Sequence, residues 1–307
     1  MTPNTQAPVI EIVDVGPRDG LQSQPVHIDT VTKLEFIRRL VAAGVRRLEA
    51  VSFVNPKRVP QMADAEEVIK GLPRDPGLRF IGLVLNERGF ERAAAAGLRE
   101  INTVVVATET FSQRNQGMAV AEILSSVANI ARESRRAGIF CGVTVSAAFG
   151  CPYEGLVSVE RVVAIARELA GHGVDEIGLA DTIGVAVPVE VERMIAAVNA
   201  VRGDIPLRLH FHDTRNTAVA NVQAAARAGV RIFDASCGGV GGCPFAPGAT
   251  GNVATEDLLY LFERSGLATG ISMAGIIETT RWLEGPLGAT LPAALSRASR
   301  FPPEKSA

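Results

Sequence analysis

Lysine and cysteine are both scarce in this 307-residue chain. It has four lysines (Lys33, Lys57, Lys70 and Lys305) and four cysteines (Cys141, Cys151, Cys237 and Cys243). The cysteines are too few and too scattered for a disulfide framework, which points to a reducing, cytoplasmic setting. An excess of one charge is also missing: 31 Lys+Arg against 33 Asp+Glu leave a net charge of -2. With no basic block, neither nucleic acid nor an anionic membrane surface is an expected partner. No apolar run approaches the ~18 residues of a membrane span, and Met1–Pro8 lacks the charged-then-apolar layout of a secretory leader. Hydrophobic residues at 47% and charged residues at 21% describe a soluble globular protein. A chain of this length can bury a large core.

What the chain does have is alternation. Apolar runs rich in β-branched residues predict strands at Val9–Val15, Arg47–Val51, Arg79–Leu85, Ile101–Ala107, Phe140–Ser146, Glu176–Ala180, Leu207–Phe211 and Ile232–Ser236. Between them lie helix-like stretches with apolar residues at spacings of 3 and 4, among them Thr30–Ala43, Val120–Ala137, Val159–His172 and Val189–Val201. Several end in a glycine just before the next strand (Gly44, Gly97, Gly138, Gly173, Gly229), where a helix C-cap needs a left-handed residue. Eight strand–helix units over ~250 residues predict an α/β fold, a (β/α)8 TIM barrel. An open doubly wound sheet would share the alternation, but Gly16-Pro-Arg-Asp-Gly20 is not the Gly-x-Gly-x-x-Gly fingerprint expected after its first strand. The expected organisation is a tail over 1–8, one barrel domain with a short C-terminal helical extension over 9–284, and a tail over 285–307.

In such barrels chemistry sits at the C-terminal ends of the strands. Acids, histidines, a thiol and amides gather there. Residues i and i+2 of a strand face the same way, so the imidazoles of His210 and His212 can reach one ion. Asp19 from the first strand end would add a carboxylate and Asn252 an amide oxygen. Two histidines with oxygen donors and no thiolate favour Mg²⁺ or Mn²⁺ over Zn²⁺. Arg18, beside Asp19 after a Gly-Pro, would point a fixed guanidinium into the same site, suited to an enolate or carboxylate oxygen. Glu49 reads either as a buried partner of Arg18 or as an ordinary inward-facing polar residue, and Asp181 carries the same two readings. Four glycines in Gly238-Gly-Val-Gly-Gly242 make a pliant loop that carries Cys243, a thiol placed to act as an acid or base. Cys141, Cys151 and Cys237 read as small packing residues.

Together these motifs resemble 3-hydroxy-3-methylglutaryl-CoA lyases, members of a metal-dependent barrel superfamily that includes isopropylmalate and homocitrate synthases. The resemblance rests on Val15-Gly-Pro-Arg-Asp-Gly-Leu-Gln22, Glu49-Ala-Val-Ser-Phe-Val-Asn-Pro-Lys-Arg-Val-Pro-Gln-Met62, Gly150-Cys-Pro-Tyr-Glu-Gly155 and Asp181-Thr-Ile-Gly-Val185. It continues through His210-Phe-His-Asp-Thr214, Gly238-Gly-Val-Gly-Gly-Cys-Pro-Phe-Ala246 and Gly251-Asn-Val-Ala-Thr-Glu-Asp257. It implies that Asp19, His210, His212 and Asn252 hold a divalent cation, that Arg18 stabilises a thioester enolate, and that Cys243 takes part in proton transfer. It further implies that Glu49, Asp181, Glu256 and Asp257 support the site. The reaction implied is cleavage of a 3-hydroxyacyl-CoA to acetyl-CoA and a keto acid.

Two departures bear on the substrate. Arg215-Asn216 stands where the resembled enzymes have an aromatic residue and glycine, and Ser-Gln-Pro-Val follows Gln22 in place of their Glu-Lys. Both point towards another 3-hydroxyacyl-CoA, such as a citramalyl-CoA or a longer branched analogue, with Arg215 the first residue to suspect. Schiff-base aldolases and biotin-linked carboxyltransferases need a barrel lysine, and no predicted strand contains one. Synthases of the isopropylmalate type commonly carry a further C-terminal domain. A catalytically inactive acyl-CoA-binding barrel would have lost a ligand, whereas every ligand position is filled. A homodimer or higher homo-oligomer is expected.

Overall fold

A computed structural model describes residues 9–242, 251–299 and 301 of the chain. Its strands are β1 (Glu11–Asp14), β2 (Arg47–Ser52), β3 (Arg79–Leu83), β4 (Glu100–Val106) and β5 (Phe140–Ser146), followed by β6 (Gly150–Cys151), β7 (Gly155–Leu156), β8 (Glu176–Asp181), β9 (Leu207–Phe211) and β10 (Ile232–Ala235). All but β6 and β7 close into a barrel in the order β1-β10-β9-β8-β5-β4-β3-β2, and every ladder between them is parallel. β6 and β7 form a small antiparallel hairpin after β5 that the periodicity of the sequence does not announce.

The helices are α1 (Thr30–Ala42), α2 (Ala65–Gly71), α3 (Glu87–Ala95), α4 (Glu109–Gln116), α5 (Val120–Ala137), α6 (Val159–His172), α7 (Pro188–Asn199), α8 (Ala218–Arg227), α9 (Thr255–Arg264) and α10 (Met273–Leu287). α6 shows how the sequence sets their limits. Ser158 Oγ accepts from the Arg161 amide at the start, Gly173 stops the helix at φ +69°, and Val162, Ile165, Ala166 and Leu169 bury one stripe between them. α10 is the helical extension. It lies on α1, where Trp282 stacks on Phe36 with ring centroids 6.4 Å apart. It runs through the 284–285 boundary to Leu287, and Leu291 and Ala293 beyond it are buried.

The lower half of the barrel interior is ionic. The guanidinium of Arg47 donates to Glu176 at 2.7 and 2.9 Å and to Glu100 at 2.8 Å. Arg208 lies 3.2 Å from Glu176 and 3.6 Å from Asp234, and donates to Thr144 Oγ1 at 3.3 Å. All five charged residues are buried. Such charges persist only because each is paired, and removing one partner of a buried pair costs about 3–5 kcal/mol. Glu100 enters β4 one residue before the strand expected at Ile101, because it pairs with Phe140 in the ladder while Arg47 neutralises its carboxylate.

Candidate functional site

A cavity of about 570 Å³ opens at the C-terminal ends of the strands. Its floor holds Arg18, Asp19, Glu49, His210, His212 and Asp234.

Asp19 reaches the floor from a turn, not from a strand end. After β1 the chain makes one π-helical turn over Gly16–Gly20, with Pro17 at its start. The flanking glycines are forced by space. A Cβ on Gly16 would lie 2.8 Å from Asp14 Oδ1, and one on Gly20 would lie 2.6 Å from Val240 Cγ1. Asp14 pins this turn to the stretch after β10, accepting from the amides of Gly16 (2.9 Å) and Cys237 (3.1 Å) and from Thr255 Oγ1 (2.8 Å). Burial pushes the Asp14 carboxyl up to about 6.

Asp19, His210 and His212 offer ligand atoms that all lie within 4.8 Å of one another. Ligands about 2.0–2.2 Å from a single ion are separated by roughly that much at most, so the cluster is the right size for one cation. A short antiparallel pairing of His212 with Asn252 brings in the fourth residue. Asn252 Nδ2 donates to Asp19 Oδ2 at 2.8 Å and to the Val240 carbonyl at 3.2 Å, which leaves its Oδ1 as the free donor atom. That oxygen and His212 Nδ1 are buried without a hydrogen-bond partner among the described residues. Unsatisfied buried polar atoms are costly, and a divalent cation would satisfy both. The charges agree. Although burial opposes ionisation of Asp19, Arg18 and the two histidines hold its carboxyl down at about 2, while burial pushes His212 down to about 4. A carboxylate and a neutral imidazole are the forms that ligate.

Arg18 lies beside this cluster. Its Nη1 donates to Asp19 Oδ1 at 2.7 Å, and its Nε donates to Glu49 Oε2 at 2.8 Å, with Nη2 on the same oxygen. Glu49 Oε1 is buried and unpartnered among the described residues.

The other residues singled out in the sequence lie around the site and do not line the cavity. Asp181 accepts from the amides of Val185 (3.0 Å) and Ala186 (2.8 Å), shaping the loop after β8, and burial raises its carboxyl. Glu256 accepts from Thr280 Oγ1 (2.6 Å) and the Gly238 amide (3.0 Å), so it grips the root of the glycine-rich loop. Asp257 accepts from the amides of Ala294 and Leu295 and fastens the C-terminal segment. Arg215 turns away from the cavity, its Nη1 donating to the carbonyls of Ile183 and Gly184 at 2.9 Å each. Cys243 lies outside the described residues, while Cys141, Cys151 and Cys237 are buried.

Sequence reasoning passed over Asp234, whose Oδ2 lies 3.2 Å from His210 Nδ1, and Asp14. The available signal was an aspartate inside an otherwise apolar strand. It also passed over Asn102 and Thr144, a hydrogen-bonded pair on the cavity wall.

Comparison with known proteins agrees with this geometry. The chain is 45% identical to the (R)-citramalyl-CoA lyase of Chloroflexus aurantiacus, over 96% of each chain. It is 39% identical to a hydroxymethylglutaryl-CoA lyase of Bacillus subtilis, covering 92% of this chain and 95% of that one. Among solved structures, an HMG-CoA lyase from A. baumannii in complex with coenzyme A and 3-methylmalate superimposes with a TM-score of 0.92 at 38% identity, covering 97% of this chain and 98% of that one. The model of the HMGL-like family matches residues 9–283, and the chain is a member of that family, a carbon–carbon lyase acting on a CoA thioester.

Proposed function

We propose that this enzyme cleaves 3-hydroxy-3-methylglutaryl-CoA or a close 3-hydroxyacyl-CoA to acetyl-CoA and a keto acid, with Mg²⁺ or Mn²⁺ held by Asp19, His210, His212 and Asn252. The observation that carries the reading is the convergence of Asp19, His210 and His212 beside the Arg18 guanidinium on the floor of one cavity, with Asn252 bonded to Asp19. A divalent cation bound there would supply Lewis acidity to the substrate's 3-hydroxyl and lower its pKa. A base takes the hydroxyl proton, the O–H electrons form the new carbonyl, and the C2–C3 bond breaks with its pair passing to the thioester as an enolate. Arg18 faces that enolate oxygen. Its fork is held by Glu49 and Asp19 before substrate arrives, so little reorganisation remains at the moment of reaction. C2 then takes a proton to give acetyl-CoA, the transfer assigned to Cys243 by the resemblance. Asp181, Glu256 and Asp257 act by holding loops.

A citramalyl-CoA is the second reading, supported by the Chloroflexus relative and by the polar Asn102–Thr144 wall. Arg215, tied to backbone carbonyls, does not support it. The test is acetyl-CoA release from each thioester, with Mg²⁺, with Mn²⁺ and with chelator. Fast metal-dependent release from the hydroxymethylglutaryl ester supports the first reading. Release from citramalyl-CoA alone moves the assignment to the second, and full release in chelator removes the metal. A homodimer or larger homo-oligomer and a cytoplasmic location belong to the same proposal, tested by light scattering and cell fractionation. No helix among the described residues is long and apolar enough to cross a membrane.

A further inference from the structure

His210 and His212 stand two residues apart on one strand, yet they are held differently. His210 Nδ1 lies 3.2 Å from Asp234 Oδ2, whereas His212 Nδ1 is buried with no partner among the described residues. Asp234 sits on β10, next to β9 in the barrel, so its carboxylate approaches the imidazole from the neighbouring strand. A cation lies near its other oxygen, which has no hydrogen-bond partner among the described residues. That oxygen, Oδ1, lies 3.6 Å from Arg208 Nε, Arg208 lies 3.2 Å from Glu176, and Glu176 is gripped by two nitrogens of Arg47. Glu176 sits closer to Arg208 than Asp234 does, so Asp234 is not needed as that arginine's only counter-ion. The contact that remains for Asp234 to make is with His210.

A neutral imidazole has one N–H and one lone pair, and a carboxylate at Nδ1 fixes which nitrogen carries the proton. We propose that Asp234 is a positioning residue for the metal centre: it accepts from His210 Nδ1–H, presents the Nε2 lone pair beside Asp19 and His212, and is kept in place by Arg208. Arg208 therefore acts on the metal centre through Asp234, from the ionic half of the barrel. The inference rests on the metal reading of the cluster.

The test uses the full chain. Mn²⁺ affinity is measured from the EPR signal of free Mn²⁺, unfolding is followed in chelator, and the His210 ring is read by ¹⁵N NMR of histidine-labelled protein without metal. Asp234→Ala is expected to weaken Mn²⁺ binding about 10–100-fold. Asp234→Asn, which keeps an acceptor but not the charge, is expected to lose less. Arg208→Lys is expected to change affinity in the same direction, and the double variant Asp234→Ala/Arg208→Lys to bind no more weakly than Asp234→Ala alone. In wild type, at a pH where the imidazole is neutral, the ¹⁵N spectrum should place the His210 proton on Nδ1, and Asp234→Ala should redistribute it. A merely structural role would lower the melting temperature without moving that signal. Should Asp234→Ala not fold, Asp234→Asn carries the same readouts. Wild-type affinity together with a wild-type ring spectrum in either variant overturns the positioning role while leaving the metal reading intact. A wild-type protein that binds no Mn²⁺ overturns both.

Discussion

Arg18 meets Glu49 through two nitrogens on a single carboxylate oxygen, Oε2, while its third nitrogen holds Asp19 at 2.7 Å. One planar group thus joins Glu49 to the carboxylate of the Asp19–His210–His212 cluster. Lysine offers a point charge and cannot span both partners. Arg18→Lys should therefore lower kcat for acetyl-CoA release by about 10²–10³-fold, the usual cost of losing a preorganised oxyanion donor. An unchanged kcat would remove Arg18 from the chemistry.

The metal cluster makes a separate prediction. Asp19 is a carboxylate held ionised, against burial, chiefly by Arg18, and Asn252 donates to it at 2.8 Å. Asp19→Asn should abolish detectable Mn²⁺ binding and divalent-ion dependence together, and His212→Ala should do the same with a small change in melting temperature. Isothermal titration with Mn²⁺ checks both. Activity of either variant at the wild-type level in the presence of chelator would refute the ligand set.

Burial also writes a pH dependence into the loop root. Glu256 is pushed up to about 7 and Asp14 to about 6, in each case by burial first. A carboxyl whose folded pKa is raised binds its proton more tightly in the folded state. Its contribution to stability is full below the unfolded value near 4 and is lost as pH rises through the folded value. A glutamine in place of Glu256 would mimic the protonated form, since the Thr280 hydroxyl can rotate to accept from an amide. Glu256→Gln should match wild type in stability near pH 4 and exceed it by on the order of 3 kcal/mol at pH 8.5, where wild type buries a carboxylate. Urea unfolding at the two pH values decides this. A difference independent of pH contradicts it.

Periodic features were legible in the sequence because their physics is local. Phe140–Ser146, Val120–Ala137 and Val159–His172 are recovered end to end, since strand alternation, helical spacing and C-cap glycines all lie in the segment itself. His210 and His212 were legible for the same reason: two side chains on one strand face share a direction. Asp19 was legible as a companion of His210 and His212 but not as part of a π-helical turn, which depends on Val240 and Phe36 packing against the two glycines. Asp234 was not legible as a site residue, because its partner arrives from the neighbouring strand. Arg215 misled for a related reason. Its place in the chain beside His212 and Asp213 says nothing about where a long flexible side chain settles, and here it settles on two carbonyls of another loop.

The two glycines of that turn differ from an open glycine such as Gly171 in a way that substitution exposes. Gly20 touches Val240, whose carbonyl accepts from Asn252 Nδ2 at 3.2 Å, so a Cβ at position 20 pushes on the support of the amide proposed to ligate the metal. Gly171 is in α6 with nothing near its Cβ position and no unusual backbone angle. Gly171→Ala should stabilise the fold by about 0.5–1 kcal/mol through helix propensity alone. Gly20→Ala should cost about 1–3 kcal/mol by overpacking and should also weaken Mn²⁺ binding, which no change in α6 would do. Melting curves and Mn²⁺ titrations of the pair separate the two effects. A Gly20→Ala variant as stable and as metal-avid as wild type would mean that the turn yields, and that Asp19 is not held in place by the contact of Gly20 with Val240.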